Sequence, residues 1–554
     1  MLPGTSVPQD YSLVAHYVGS HVDHGGHVPT SEDDFEDNEQ PYCRGPITTI
    51  PAGCVGVTPP TQTSETTPLL APPFPHIVES VDAESFYAEK NNSRNGLWQE
   101  VKRLLQYSLP VFGTYIFEYS MAITSVVAVG HISTIALAAS SLGFMTASVT
   151  GFSIIQGMAN TLDTVLPSAW TSEQPQLVGL WTQRMAVLTS VILVPMITFW
   201  LHAESILLAL RQEPEVARLA GIFLMWSCLG LPAYAFNCIS RQYFQAQGLF
   251  TVPTRIIIFV APINVLLNYL LVWGPESIRL GFIGAPIATA ISRNLISIAY
   301  IIYGICVVPK TAWHPITTRA FTNLGFLAKL SAGSVGQVAS SWWSWEIIGL
   351  SASFLGPVHL AVHSILVSTC SSLFQVPYAL GASTSVRIGN LLGEQDAKSA
   401  AIVVKASILL DFAFAILFGC ILVIFRHSWG YLFNNDPEVV RLVADLLPLV
   451  AFVQLFDDMA AVVGGVLRAR GQQVLGATLN IGAHYTIGIP IGLWLTFKMN
   501  LQLFGLWAGL GLAIGLAAGV GLYLCLITDW YAEVDEVVVR LAIDKQPVDE
   551  EFVR

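Results

Sequence analysis

The chain has 554 residues, of which 53% are hydrophobic and only 12% charged, with a formal net charge of −12. Soluble domains carry about twice that share of charge, so an ordinary water-soluble protein is excluded and an integral membrane protein is indicated. No Gly-x-x-x-x-Gly-Lys phosphate loop, His-Glu-x-x-His or Gly-x-Ser-x-Gly stands in the sequence, so neither an ATP-driven pump nor a common hydrolase is expected. The reading is of a protein that is not an enzyme.

Residues 1–100 hold 14 Asp or Glu against three Lys or Arg, and Pro, Thr, Ser and His are plentiful. Such a segment buries too little apolar surface to offset its ordering entropy, so it is expected to be a disordered acidic cytosolic tail. It carries most of the net charge, which therefore says nothing about the rest of the chain. Within it, Glu65-Thr66-Thr67-Pro68-Leu69-Leu70 has the form of an acidic dileucine sorting signal built on Glu65, Leu69 and Leu70. A sorting adaptor is the expected partner there, which favours a vacuolar or lysosome-like membrane, with the plasma membrane as the alternative.

From Leu104 onward, apolar runs of spanning length follow one another, and a helix needs roughly 20 such residues to cross the hydrocarbon. Twelve spans are expected, at 104–129, 135–160, 181–200, 219–238, 255–273, 282–308, 324–354, 360–381, 400–424, 439–467, 474–497 and 503–527. The runs are continuous rather than alternating, which excludes a β-barrel. With the N-terminus cytosolic, thirteen Lys or Arg near the spans fall on the cytosolic side, Arg184, Arg241 and Arg468 among them, against six opposite. By the positive-inside rule both termini are then cytosolic.

The chain also repeats itself. Glu213-Pro214-Glu215-Val216-Ala217-Arg218-Leu219 returns as Asp436-Pro437-Glu438-Val439-Val440-Arg441-Leu442, and Gln245-Ala246-Gln247-Gly248 returns at the same offset as Arg468-Ala469-Arg470-Gly471. Several matches in order mark a duplicated unit. Six spans per unit is an even number, so both units enter the membrane from the same side and the repeat is parallel. The expected fold is all-α, with twelve transmembrane helices in two six-helix lobes. The divisions are an N-lobe at 101–310, an inter-lobe linker at 311–322, a C-lobe at 323–528 and a cytosolic C-terminal tail at 529–554.

Each ionisable group at mid-membrane costs roughly 2.5–3.5 kcal/mol on insertion scales and so needs a reason. Glu118 and Arg293 lie at similar depth in the first and sixth spans and are expected to pair; the alternative is that each faces the cavity separately, with Glu118 as a second cation site. Glu346 lies in the seventh span, Asp411 in the ninth, and Asp457 with Asp458 in the tenth. In the fifth, Asn264 and Asn268 sit one turn apart on one face. Eight cysteines and scattered histidines show no metal-ligand spacing, so neither a metal nor a cofactor is expected, and no nucleic-acid partner.

Trp342-Trp343-Ser344-Trp345-Glu346 makes the reading specific. Together with Ser372-Leu373-Phe374-Gln375-Val376-Pro377-Tyr378-Ala379-Leu380-Gly381-Ala382, Arg387-Ile388-Gly389-Asn390, Gly464-Gly465-Val466-Leu467-Arg468-Ala469-Arg470-Gly471-Gln472, Tyr485-Thr486-Ile487-Gly488, Gly130-His131 and Thr161-Leu162-Asp163-Thr164, it resembles the eukaryotic, fungal-like branch of the multidrug and toxic compound extrusion (MATE) family over residues 104–527. The resemblance implies two lobes around a central cavity and export of organic cations or xenobiotics by antiport. It places proton coupling on Glu346 and Asp457, and the substrate cavity on Trp342, Trp343, Trp345, Gln375, Tyr485, Asn264 and Asn268. Ser125 and Asn268 stand where the family's bacterial members carry first-lobe acids, which shifts the coupling to the second lobe and favours protons over sodium. A sodium-coupled antiporter of the same family and a lipid or polyisoprenoid flippase are the alternatives. A monomer in contact with membrane lipid is expected.

Overall fold

We describe the protein from a computed structural model, which describes residues 93–542. The sorting phrase Glu65, Leu69, Leu70 and the bulk of the expected tail lie outside the described residues. Twelve long helical segments run back and forth: α1 Ser93–Gly130, α2 Thr134–Trp170, α3 Leu177–Leu201, α4 Pro214–Ala246, α5 Thr251–Trp273 and α6 Gly284–Cys306 form the N-lobe. The C-lobe comprises α7 Leu324–Ser353, α8 Pro357–Gly393, α9 Ala397–Ile424, α10 Pro437–Arg470, α11 at 473–497 and α12 Gln502–Leu526, and a shorter helix, α13 Trp530–Ala542, follows. No strand occurs among the described residues.

Among the described residues ten helices are long and apolar enough to cross a membrane by composition alone. The other two spans are α7, whose Ser, Gln, Trp and Glu residues dilute its apolarity, and α11, which a π-helical stretch at Gly482–Gly488 interrupts. Local chemistry sets the ends. The Asp436 side chain caps α10 by accepting from the Glu438 N–H, Pro437 follows at the first helical position, and Gly471 closes the helix at φ +80°, where a side chain would be strained. Asp396 caps α9 in the same way, accepting from the Ser399 N–H.

Two apolar clusters form the C-lobe core, one around Leu392, Val403, Val462 and Val466 and one around Leu366, Val443, Leu447 and Trp507. Comparable clusters around Leu162, Leu180 and Met185, and around Phe152, Trp200 and Leu231, fill the N-lobe. Extra polar length in α8 has a purpose. Past the apolar run expected to end at 381, Ser383, Thr384 and Ser385 are fully buried, and the helix continues along the N-lobe to Gly393.

The lobes are tied together on the side of the molecule where α1 begins and α12 ends. Arg468 of α10 donates to the Asp163 carboxylate of α2 at 3.0 Å, and Thr164 Oγ1 donates to the Arg468 carbonyl at 2.6 Å. Arg387 of α8 donates to Glu100 of α1 at 2.8 Å, and Thr171 Oγ1 to the Asn390 carbonyl at 2.7 Å. Close approach adds to this: a Cβ on Gly157 would fall 2.6 Å from the Val335 Cα on the facing lobe.

Two expected boundaries move. Glu100 is buried and ion-paired, so the last residues of the 1–100 tail belong to α1. Residues 530–542 of the expected 529–554 tail form a docked helix: Trp530 and Val537 enter the C-lobe core, Leu541 touches core clusters of both lobes, and Arg470 pairs with Glu533 at 2.6 Å. Burial of Val537 and Leu541 on one face supplies the driving force. The 311–322 linker is pinned as well, with Arg184 donating to Thr322 Oγ1 at 2.8 Å and Gln183 to the His314 carbonyl at 2.6 Å.

Candidate functional site

Inside the C-lobe, α7, α8, α10, α11 and α12 enclose an open cavity walled by Gln337, Trp342, Phe374, Tyr378, Asn480 and His484, with Asp457 on its lining. Among the described residues no donor reaches the Asp457 carboxylate. An ionised carboxyl in such a place lacks compensation from the protein, so it is free to take either a proton or a cation. At the terminus-side end of the cavity stands Arg468, whose charge is already engaged by Asp163.

Asp458 faces the other way. It is buried, accepts from Gln454 Nε2 at 2.6 Å, and lies near enough to Asp411 of α9 for their charges to interact. Asp411 is fully buried, and neither of its oxygens has a partner among the described residues. Neighbouring residues on a helix point about 100° apart, which is why one aspartate of the pair meets the cavity and the other the helix contact.

Glu346 is half-buried on α7 without a partner among the described residues, and it is not on the wall that holds Asp457. Glu346 and Asp457 are thus both left unpaired among the described residues, but they do not share one wall. Trp342 lines the cavity and packs against the N-lobe core cluster around Phe152. Trp343 donates its indole N–H to the Val149 carbonyl at 3.1 Å, joining α7 to α2. Trp345 packs edge-on against Trp507, with ring centroids 5.7 Å apart, so its first role is core. Tyr485, in the π-helical stretch of α11, donates to the Ser340 carbonyl of α7 at 3.0 Å, and Gln375 donates to the Ser371 carbonyl of its own helix.

The N-lobe assignments need correction. Asn264 and Asn268 are buried and bonded to neighbouring groups rather than on the wall that holds Asp457: Asn264 Nδ2 donates to Ser292 Oγ at 2.9 Å, and Asn268 Nδ2 to the Asn264 carbonyl at 2.9 Å. Buried amides seek partners: Asn264 finds one across on α6, and Asn268 finds one on its own helix. Glu118 does not pair with Arg293. Arg241 of α4 takes both Glu118 oxygens, at 2.8 and 2.9 Å, because its guanidinium is almost wholly buried and needs a counter-charge. Arg184, Arg241 and Arg468, counted above as loop charges, are all buried and bonded within the protein.

From Arg241 a hydrogen-bonded chain runs to the other lobe. Arg241 Nη2 donates to Gln156 Oε1 at 3.0 Å, Gln156 Nε2 to Asn160 Oδ1 at 2.7 Å, and Asn160 Nδ2 to the Tyr378 hydroxyl at 3.5 Å. Tyr378 also lines the Asp457 cavity. Sequence reasoning missed this chain and the Asp163–Arg468 pair, although Tyr378, Asp163 and Arg468 all lie in the phrases that carry the family resemblance. Among the described residues no group of three or more His, Cys, Asp or Glu stands close enough to hold a metal ion.

Comparison with known proteins fits this architecture. The MatE family model matches the chain twice, at residues 110–270 and 334–494, one copy in each lobe. An uncharacterized transporter of Schizosaccharomyces pombe is 35% identical over 452 residues, 82% of this chain and 84% of its own length. Protein DETOXIFICATION 12 of Arabidopsis thaliana is 32% identical over 80% of this chain and 92% of its own length. Multidrug and toxin extrusion protein 2 of Mus musculus is 30% identical over 80% and 77%. The crystal structure of the eukaryotic MATE transporter AtDTX14 superposes with a TM-score of 0.76 at 28% identity, covering 80% of this chain and all of that one. The chain therefore belongs to the MatE family of membrane transporters, the multidrug and toxic compound extrusion proteins, and has their two-lobed fold of twelve transmembrane helices.

Proposed function

We propose that the protein is a secondary active antiporter that expels organic cations or xenobiotics in exchange for protons, with Asp457 and Glu346 as the coupling acids. The observation that carries the reading is Asp457: an unpartnered carboxylate on the wall of a cavity lined by Trp342, Phe374 and Tyr378. Its negative charge attracts an organic cation while the aromatic faces hold the cation's flat surface. A proton on the same carboxyl removes the attraction. Cation and proton then compete for one site, which is the minimum that antiport requires.

Alternating access follows from the terminus-side ties. Asp163–Arg468 and Glu100–Arg387 hold the lobes together there, and rocking of one lobe against the other has to break them. On this reading that side is cytosolic, with both termini, and the transporter works as a monomer in a vacuolar or lysosome-like membrane. The names of the plant and mouse relatives, detoxification and toxin extrusion, support the substrate class. The test is uptake of a panel of organic cations into vesicles carrying the purified protein under an imposed proton gradient. Uptake that collapses with a protonophore is expected, whereas uptake that follows only a sodium gradient would refute the proton reading.

A further inference from the structure

The linker between the lobes carries exposed apolar surface that the transport chemistry does not use. Trp313 is 50% exposed, Ile316 81% and Phe321 67%. The segment is nevertheless held in place. Two short helical turns, Lys310–Ala312 and Thr318–Phe321, bury Ala312 and Ala320. Its backbone rests on Gly179 of α3, where an added Cβ would fall 2.5 Å from the His314 nitrogen and 2.6 Å from the Ala312 carbonyl oxygen. Gln183 and Arg184 of α3 donate to the His314 and Arg319 carbonyls, at 2.6 and 3.3 Å. A fixed arm therefore presents three large apolar side chains outward.

Its place on α3 says what they meet. Gly179 and Gln183 lie in the first two turns of α3, on the side of the membrane where α6 ends and α7 begins. Ser190 and Val194 continue the same helix face and are exposed, so that face looks out to lipid. With 25 residues α3 is about 37 Å long, against a hydrocarbon layer of about 30 Å. Its first turns, and the linker on them, thus stand at the level of the lipid headgroups, where tryptophan is the favoured aromatic anchor.

Charge completes the surface. No Asp or Glu occurs between Ser277 and Trp345, in a chain whose net charge is −12. Lys310, Arg319 and Lys329 are exposed, and their side chains have no partner among the described residues. Lys329 shares a helix face with Phe326, whose ring packs 5.9 Å from that of Trp181 on α3, so it stands beside the linker. A lipid phosphate supplies the missing counter-charge while the acyl chains below it cover the apolar side chains. An acidic peptide would meet the cations alone.

We propose that the inter-lobe linker is a docking site for anionic phospholipid, with Lys310, Arg319 and Lys329 on the headgroup and Trp313, Ile316 and Phe321 seated among the upper acyl chains. The site does not depend on which ion drives transport.

The test titrates the full-length protein in detergent with palmitoyl-oleoyl phosphatidylserine or phosphatidylcholine, which share their acyl chains, and counts bound lipid by native mass spectrometry. The unmodified protein is expected to bind the serine lipid about tenfold or more tightly than the choline lipid. Lys310→Gln, Arg319→Gln and Lys329→Gln together should bring the two within about twofold, whereas Lys398→Gln with Lys405→Gln on the C-lobe should leave the preference in place. Trp313→Ala with Phe321→Ala should weaken both lipids alike. Should the triple variant fail to fold, the preference of the unmodified protein should still shrink as ammonium acetate rises from about 0.05 to about 0.5 M. Equal binding of the two lipids, a preference that survives the triple change or the salt, or loss of preference in the C-lobe control would overturn the site. Displacement of the serine lipid by an equal concentration of glycerophosphoserine would mean a site for free phosphate esters and would overturn it as well. Uptake is not read in this experiment, so its failure leaves the transport reading standing.

Discussion

The two lobes carry one repeated unit, matched by the same family model at 110–270 and 334–494, yet Glu118 of the first and Asp457, Asp411 and Glu346 of the second are met in different ways. In the N-lobe, Glu118 is locked to Arg241, Asn264 and Asn268 are tied to Ser292 and to each other, and Ser125 bonds Thr289 at 2.8 Å. In the C-lobe, Asp457, Asp411 and Glu346 have no partner among the described residues. A satisfied buried network rigidifies; an unsatisfied one is costly and persists where something else binds it. On the proposed reading, duplication supplied a scaffold twice, while the chemistry of exchange concentrates in the lobe whose acids were left open.

The comparison breaks most visibly in transport. Asp457→Asn and Glu346→Gln keep shape but cannot exchange a proton, and each is expected to lower proton-driven efflux by about a hundredfold or more, equivalent to roughly 2.7 kcal/mol in the coupled step. Membrane insertion, read by yield and a monodisperse elution profile, should stay intact. Normal efflux in either variant would remove that residue from the mechanism.

Stability separates the lobes next. Glu118→Gln strands the buried Arg241 and is expected to cost about 3–5 kcal/mol, seen as a lowered thermal midpoint in detergent, and Glu118→Gln with Arg241→Met together should recover much of the loss. Asp411→Asn removes a charge that nothing compensates, so it should leave the midpoint unchanged or raise it. Strictly additive losses at Glu118 and Arg241 would contradict the pairing.

A smaller effect is expected at the seam. Asp163→Asn weakens the tie to Arg468 and should expose the terminus side more often, read as faster maleimide labelling of an Asn390→Cys reporter. Unchanged labelling would mean that the pair does not govern opening. Smallest of all, Tyr485→Phe deletes one hydrogen bond to Ser340, worth about 0.5–1.5 kcal/mol, and should change efflux only about two- to threefold.

Much of this was legible in the sequence because its signals are local. Continuous apolar runs mark the spans wherever they occur, and the Asp436-Pro437 start and Gly471 stop of α10 are written in the residues themselves. The partner of Glu118 was not legible. Arg241 closes a span and reads as a loop cation, and only tertiary packing brings it to a carboxylate 123 positions earlier in the chain. The same blindness hid Asp163–Arg468 across the lobes. Asn264 and Asn268 were rightly placed on one face, but periodicity does not say whether that face meets a cavity or a neighbouring helix. In α13 a signal was present and overlooked: Trp530, Val534, Val537 and Leu541 recur at helical spacing and all turn toward the core.

The central claim is that the open carboxylate of Asp457 exchanges cation for proton. It is tested most directly by loading vesicles with an organic cation, imposing no proton gradient, and following internal pH as the cation leaves. Downhill cation exit through the unmodified protein should draw protons inward and acidify the lumen, and Asp457→Asn should abolish the acidification. Cation exit without proton entry, or acidification that persists in Asp457→Asn, would contradict the account.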